Sequence, residues 1–305
     1  ISNGEITLFS PHDVPGLYDS FGTESFDDLY IKYELDETIP KKKLNAQELI
    51  LDLLKERAET GRMYLMNIDH CNSHSSFTDK VEMSNLCQEI TLPTKPIQHI
   101  DDDNGEIALC ILSAINIGKI RDFSDFEVLC DLAVRSLDEL IDFQQYPVRA
   151  AELATKARRS LGVGYIGLAH YLAKQGVSYG DPEAWKLVHD LTEAFQYYLI
   201  KSTVNLAKEK GACQYSNRTK YSHGVLPIDT YKTDVDELVP NKLNFDWESL
   251  RQDVKKYGVR NSTLSAQMPS ESSSVVSNAT NGIEPPRGYL SIKKSKKGPL
   301  KQIVP

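Results

Sequence analysis

Asn85, Cys87 and Glu89 stand at alternate positions within Met83-Ser84-Asn85-Leu86-Cys87-Gln88-Glu89-Ile90. If this stretch is extended, as Ile90, Thr91 and the following Leu92-Pro93 favour, all three side chains project from one face. Leu86, Gln88 and Ile90 then face the other way. An amide, a thiol and a carboxylate presented together supply a hydrogen-bonding group, a redox-active atom and a proton acceptor. Spacing alone leaves two readings open, because polar residues also alternate on ordinary half-buried strands.

A second stretch with chemical potential is Pro269-Ser270-Glu271-Ser272-Ser273. Hydroxyls and backbone amides at a turn leading into a helix form an anion site through unpaired N–H groups and the helix dipole. Glu271 fits such a site only if its carboxylate points away; a flexible serine-rich loop is the plainer alternative. Gly162-Val163-Gly164-Tyr165-Ile166-Gly167 satisfies the G-x-G-x-x-G spacing of dinucleotide sites, but a charged helix at 150–159 precedes it where a buried strand is required. A close-packed turn into a helix at Leu168–Lys174 is expected instead. His70, Cys71 and His74 have metal-ligand spacing without a second Cys/His pair to complete four ligands. A Cys–His hydrolase built on Cys87 lacks a papain-like sequence around it.

These groups must be held by regular elements. Asn45 with Glu48 reads as a capping box ahead of an apolar stripe of Leu49, Leu53, Leu54 and Ala58, stopped by Gly61. Ser124 with Glu127 repeats the signal before a helix at Phe126–Phe143. Asp181-Pro182 opens the longest helix, ended by Gly211, and Asp246 opens another, ended by Gly258. Candidate strands lie at Met63–Ile68, Glu106–Ser113, Ser262–Met268 and Gly288–Ile292. Helices separating single apolar strands predict α/β architecture with mostly parallel strands. No convincing linker interrupts the chain, which favours one domain.

The 305 residues carry a formal net charge of −8, which argues against a dedicated nucleic-acid binder. The basic run Lys293-Lys294-Ser295-Lys296-Lys297, before Gly298-Pro299, reads as a solvated turn between two strands. No run of residues is apolar for long enough to span a bilayer. Five cysteines without regular spacing, and no visible export signal, point to a reducing cytoplasm instead of a disulfide scaffold. Cys130 falls on a helical stripe and Cys213 follows a helix-ending glycine, so both are expected to be structural. The chain opens on Ile1 and closes on Lys301-Gln302-Ile303-Val304-Pro305. Both ends read as cuts through a longer polypeptide, or as one half of a split protein.

Five blocks in order identify a family. Ser84–Ile90 followed by Leu92-Pro93-Thr94-Lys95-Pro96 closely resembles the finger-loop signature of the large, catalytic subunits of class I ribonucleotide reductases. Gly105-Glu106-Ile107-Ala108-Leu109-Cys110 is similar to the family strand that carries one of two reducing cysteines. Arg159–Ala169 matches a glycine-rich family segment, Ala266–Ser273 resembles the substrate-phosphate loop, and Asn278–Pro286 follows in family order.

The resemblance implies an α/β fold: residues 1–305 would form an incomplete part of a ten-stranded α/β barrel, with a finger loop near residues 83–97 threading its centre. Cys87 would become the thiyl radical that removes the ribose 3′ hydrogen, Glu89 the base for the 3′-hydroxyl proton, and Asn85 a hydrogen-bond partner of the sugar hydroxyls. Leu86 and Gln88 would line the substrate with them. Cys110 would supply reducing equivalents, and Pro269, Ser270, Glu271, Ser272 and Ser273 would cradle the diphosphate. The second reducing cysteine, the nucleotide-binding cone for ATP and dNTP effectors, the radical-relay tyrosines and the cysteine-bearing tail would lie outside this sequence.

The resemblance further implies a nucleoside diphosphate substrate, a metal-containing small subunit that supplies the radical, thioredoxin or glutaredoxin as reductant, and a homodimer of the whole subunit; no cofactor, DNA or membrane partner is expected of this chain. It would lack turnover alone. Two other readings are an assembly half of a split large subunit, and a reductase of the same barrel using adenosylcobalamin or a glycyl radical. Glu89 argues against the glycyl type.

Overall fold

The computed structural model describes residues 4–109, 111–239, 242–296 and 298–305. They divide into two compact units, 1–75 with 81–83, and 76–80 with 84–305, where the sequence showed no linker.

In the first unit β1 (Glu5–Phe9) pairs antiparallel with β2 (Lys41–Asn45), and α1 (Ser25–Leu35) lies between them in sequence. Tyr30 of α1 fixes the hairpin: its hydroxyl accepts the Thr7 N–H at 2.6 Å, and its ring meets Phe9 edge-on at 5.6 Å. Asn45 then caps α2 (Ala46–Thr60), its side chain accepting the N–H groups of Gln47 and Glu48, and Gly61 ends the helix in the left-handed region. Both ends match the sequence expectation. The strand expected at Met63–Ile68 is absent; residues 62–67 are irregular and Ile68 opens α3 (Ile68–His74). An apolar run becomes a strand only where a sheet edge takes up its backbone groups, and residues 62–67 join none of the described sheets.

The second unit is built on β3 (Ile111–Asn116), α4 (Asp125–Phe143), α5 (Arg149–Arg158), β4 (Leu161–Ile166), α6 (Leu168–Lys174) and α7 (Pro182–Lys210). It continues through α8 (Pro227–Thr230), α9 (Trp247–Tyr257), α10 (Glu271–Val276), β5 (Leu290–Ser295) and β6 (Gly298–Ile303). β3 and β4 are parallel, with Ile111 opposite Leu161 and Asn116 opposite Ile166. Residues 263–266 run along the other side of β4. The N–H groups of Leu161 and Val163 donate to Thr263 and Leu264 carbonyls at 3.0 and 2.7 Å, and Ala266 returns a bond to Val163 at 3.1 Å. The α/β class with a parallel core thus agrees with expectation, although no closed barrel forms among the described residues. β5 and β6 make an antiparallel hairpin. β5 takes in most of the lysine run that was expected to be turn.

The glycine-rich stretch is a correction. All six residues of β4 are buried, so Gly162 and Gly164 lie inside a strand and only Gly167, at φ +87°, makes the turn into α6. A Cβ on Gly164 would stand 2.4 Å from the Ala266 carbonyl oxygen, so the missing side chain is what lets the 263–266 limb approach. The Ser124 capping box is a second correction. Asp122 accepts both the Ser124 N–H and its hydroxyl, leaving no side-chain cap, and Glu127 instead pairs with Lys201 of α7. Both boundaries of α7 and of α9 are as expected, with Asp246 accepting the Ser249 N–H.

α4 buries Phe126, Cys130, Val134, Leu137 and Ile141 at helical spacing against Leu191, Phe195 and Leu199 of α7 and the strand residues Leu161 and Val163. Each large side chain removed from water contributes about 1.5–3 kcal/mol. One charge is buried in the same layer. Asp138 has no exposed surface and accepts from Arg159 Nε at 2.6 Å, Asn261 Nδ2 at 3.1 Å and Arg260 Nε at 3.3 Å. Arg159 holds a left-handed backbone at φ +48° just ahead of β4, and its second carboxylate partner is Asp142. No helix among the described residues is long and apolar enough to cross a membrane.

Asp138→Ala is expected to lower the unfolding free energy by about 3–5 kcal/mol, since it takes the shared buried acceptor from Arg159, Arg260 and Asn261. Lys201→Ala, which breaks the exposed pair with Glu127, is expected to change it by less than about 1 kcal/mol. Urea unfolding of both variants checks this, and equal losses would refute it. Gly164→Ala is expected to cost about 1–3 kcal/mol by forcing the 263–266 limb off β4.

Candidate active site

Residues 84–91 form a tight hairpin turn. Ser84 and Thr91 face each other in an antiparallel bridge, the Asn85 N–H donates to Ile90 O at 3.1 Å, and the Gln88 N–H returns to Asn85 O at 3.1 Å. Asn85 closes the turn with its side chain as well, its Oδ1 accepting the Ile90 N–H at 3.1 Å, and Gln88 takes a left-handed φ of +60°. The extended strand expected here is therefore corrected. A turn at 85–88 breaks the alternation, so Asn85, Cys87 and Glu89 share a loop tip and not one strand face.

Burial divides the three residues. Leu86 is 80% exposed and Cys87 is exposed too, whereas a loop threading the centre of a barrel, as expected from the resemblance, would bury them. Ile90 and Leu92 at the base of the loop are buried, so the described residues of this chain anchor the stem and leave the tip open. Glu89 is intermediate, and its Oε2 is buried with no hydrogen-bond partner among the described residues. An orphaned buried acceptor is uncommon, because leaving it unpaired costs about 1–3 kcal/mol. It is a ready partner for an incoming hydroxyl.

Past the loop, Lys95 and Glu106 exchange two backbone hydrogen bonds of 3.0 Å each. Cys110 lies outside the described residues; Ile111, next in sequence, opens β3. The strand expected at Glu106–Ser113 thus begins later, because Lys95–Glu106 is an isolated bridge and residues 107–109 join no described sheet.

The Pro269–Ser273 stretch follows the 263–266 limb into α10, whose first turn is exposed at Glu271, Ser272 and Ser273. Ser270 is buried and gives its N–H to Asn281 Oδ1 at 2.8 Å. Asn281 Nδ2 reaches Glu271 Oε1 at 3.4 Å, which draws that carboxylate toward an amide. The next loop is fastened to the end of β4, where the Gly167 N–H donates to Thr280 O at 2.9 Å. Thr280 Oγ1 and, on β3, Ser113 Oγ are further buried oxygens without hydrogen-bond partners among the described residues. The carboxyl ends of parallel strands are where open α/β sheets take ligands.

Other sequence candidates resolve differently. His70, Cys71 and His74 lie on α3, and no metal-holding group among the described residues includes them. His189, Asp190 and Glu193 of α7 do come within ligating reach of one another. Glu193, however, already accepts the N–H groups of Asn244 and Phe245 and the Trp247 indole N–H, so it anchors a loop. Sequence reading passed over a ring of Asp79, Glu106, Arg158 and Arg218 beside Lys95; Glu106 was read only as a strand residue. Its signal, two acids and two arginines far apart in the chain, is invisible without the fold.

Cys130 and Cys213 are buried, and burial raises both thiols, Cys213 to about 11. Their thiolate fractions at pH 8 are accordingly small. Alkylation of the native protein at pH 8, followed by peptide mass spectrometry, is expected to modify Cys87 at least tenfold faster than Cys130 or Cys213. Labelling of Cys130 or Cys213 before Cys87 would contradict the burial described here.

A family model described as "Ribonucleotide reductase, barrel domain" matches residues 1–305. The ribonucleoside-diphosphate reductase subunit alpha of Haemophilus influenzae is 60% identical over 310 residues, covering 100% of this chain and 41% of that protein. The ribonucleoside-diphosphate reductase 1 subunit alpha of Escherichia coli is 56% identical over 99% of the chain and 40% of its own length. That of Enterobacteria phage T4 is 46% identical, again over 99% of the chain and 40% of its own length. The chain spans about two fifths of the length of the curated relatives it matches. Matched along its whole length by the family model, and built on a parallel strand core with a finger-like turn beside it, the chain belongs to the ribonucleotide reductase barrel-domain family.

Proposed function

We propose that this chain is catalytic machinery of a ribonucleoside-diphosphate reductase alpha subunit, reducing ribonucleotides to deoxyribonucleotides for DNA synthesis. The observation that carries the reading is the finger turn itself, which carries the Cys87 thiol at its tip, two residues ahead of a carboxylate whose buried Oε2 has no hydrogen-bond partner among the described residues. In this reading the Cys87 sulfur, as a thiyl radical, takes the hydrogen atom from the ribose 3′ carbon. Glu89 accepts the 3′-hydroxyl proton through its unpaired Oε2. Asn85 hydrogen-bonds the sugar hydroxyls as the 2′-hydroxyl departs as water. Two thiols, Cys110 one of them, give one proton to the departing hydroxyl and one hydrogen to the 2′ carbon and join as a disulfide, so two electrons pass to the sugar, and Glu89 returns its proton to the 3′ oxygen. Cys87 then returns its hydrogen atom to the 3′ carbon.

The Pro269–Ser273 turn supports the diphosphate end of the substrate. Its exposed first helical turn presents N–H groups and the Ser272 and Ser273 hydroxyls to an anion, while Asn281 engages Glu271. Leu86 and Gln88 would line the sugar and base. The radical would be supplied by a metal-containing small subunit, and ATP and dNTP effectors would act through other parts of the alpha subunit. Thioredoxin or glutaredoxin would restore the thiols, in the cytoplasm, with the whole subunit as a homodimer.

An exposed Cys87 also favours a dependence on assembly. A sulfur radical open to water and oxidants would be quenched, so the tip needs cover from protein that these described residues do not provide. The chain mixed only with the radical-supplying subunit is expected to show no turnover; nucleoside diphosphate reduction under those conditions would refute the dependence.

Within the complete subunit, Cys87→Ser is expected to abolish reduction. Glu89→Gln should lower kcat by about 10²–10⁴-fold. Full activity in Cys87→Ser would exclude the radical role. Ser272→Ala with Ser273→Ala should raise KM about tenfold or more with kcat little changed, the loss expected for hydrogen bonds to a charged group. A fall in kcat alone would place the phosphates elsewhere.

A further inference from the structure

Asp79, Glu106, Arg158 and Arg218 close a ring of alternating charge that the proposed chemistry leaves unused. Arg158 is its buried member, with a side chain 4% exposed. Its Nε donates to Glu106 Oε2 at 2.7 Å, and its Nη1 lies 3.0 Å from Asp79 Oδ2. The latter contact lacks hydrogen-bond alignment, but two opposite charges at that distance attract whatever the angle. Arg218 completes the ring, donating from Nη2 to Asp79 Oδ1 at 2.8 Å and from Nη1 to Glu106 Oε1 at 3.3 Å. The Tyr215 ring lies against both guanidinium groups, 5.2 Å from Arg158 and 4.3 Å from Arg218.

Each member sits on a different stretch of backbone. Glu106 exchanges both backbone hydrogen bonds with Lys95, on the returning limb of the finger loop, and stands four residues ahead of Cys110 in sequence. Arg158 ends α5, beside Arg159 and its bond to Asp138, while the Ile107 N–H reaches Ala150 O of the same helix at 3.4 Å. Asp79 and Arg218 are joined by the neighbouring Phe77–Thr219 bridge and by a 3.1 Å bond from the Thr78 N–H to Arg218 O. A sideways shift of residues 95 or 106 would break a fork of charge-assisted bonds whose geometry admits one arrangement.

Stability alone is a poor account of such a ring, since apolar side chains of equal volume can stabilise a buried site as well. We propose that the ring is a positioning device, fixing the returning limb of the finger loop against the segment that leads to Cys110. Asp79, Glu106, Arg158 and Arg218 are then positioning residues for the reduction, because a displacement of about 1 Å can reduce a rate about 10²-fold. The consequence for turnover rests on the reduction reading; the effect on the two segments does not.

The test uses the complete subunit with its radical-supplying partner. In Glu106→Gln and Arg218→Lys, kcat for a nucleoside diphosphate is expected to fall about tenfold or more with KM within about twofold. Amide exchange over residues 91–109 should quicken, while α4 and α7 keep their protection. Should Glu106→Gln fail to fold, Arg218→Lys decides, because its side chain is 36% exposed and one ammonium cannot hold both carboxylates in a fork. A folded Glu106→Leu/Arg158→Met pair that keeps wild-type kcat and exchange would overturn the proposal, as would exchange that quickens equally throughout the chain. A wild-type subunit without reductase activity would instead sink the proposed reaction, and the exchange data would still judge the ring.

Discussion

Asp138 is a carboxylate with no contact with solvent, and its three donors come from two places in the chain. Arg159 stands just before β4, and Arg260 with Asn261 stands just before the limb at 263–266. A charge in that position is tolerable only when its acceptor sites are filled. Filling them brings the starts of two neighbouring strands to one point on α4. The left-handed backbone at Arg159 is held by the same bonds, since its guanidinium also engages Asp142. From that point the strands run in parallel, and the absent side chain of Gly164 lets them close to contact. The proposed phosphate segment extends from this core, since the Pro269–Ser273 turn continues the third limb into α10.

The site differs from the core in how its polar atoms are satisfied. Around Asp138 both carboxylate oxygens have donors, whereas Glu89 Oε2, Ser113 Oγ and Thr280 Oγ1 are buried without a hydrogen-bond partner among the described residues. Groups of this kind are retained where something else supplies the partner. The finger turn shows the same contrast along its length. Its stem is anchored by Ile90, Leu92 and the Lys95–Glu106 pairing, and its tip carries an exposed Leu86 and Cys87. A loop with a fixed stem and an uncovered tip suits insertion into a larger enclosure, in keeping with a chain that spans about two fifths of its relatives' length.

Much of the helical frame was legible from local chemistry. Asn45 and Gly61 bound α2, Pro182 and Gly211 bound α7, and Asp246 and Gly258 bound α9, because caps act within a few residues of themselves. Ser124 failed for an equally local reason, as Asp122 reached its hydroxyl first. Strands were less legible. Met63–Ile68 had the composition but joins none of the described sheets, and β4 had the partner but a glycine content that reads as a turn.

From sequence alone came the family, the order of its blocks and the identity of the residues that would do the chemistry, since these are properties of residue type and spacing. Tertiary structure decided which glycines were strand and which were turn, where the buried charge sits, and that Asn85, Cys87 and Glu89 meet on a turn and not along a strand. It also brought Asp79, Glu106, Arg158 and Arg218 together across more than a hundred residues. Such pairings depend on which backbones come within hydrogen-bond reach, and that distance is set by packing between elements that no local pattern encodes.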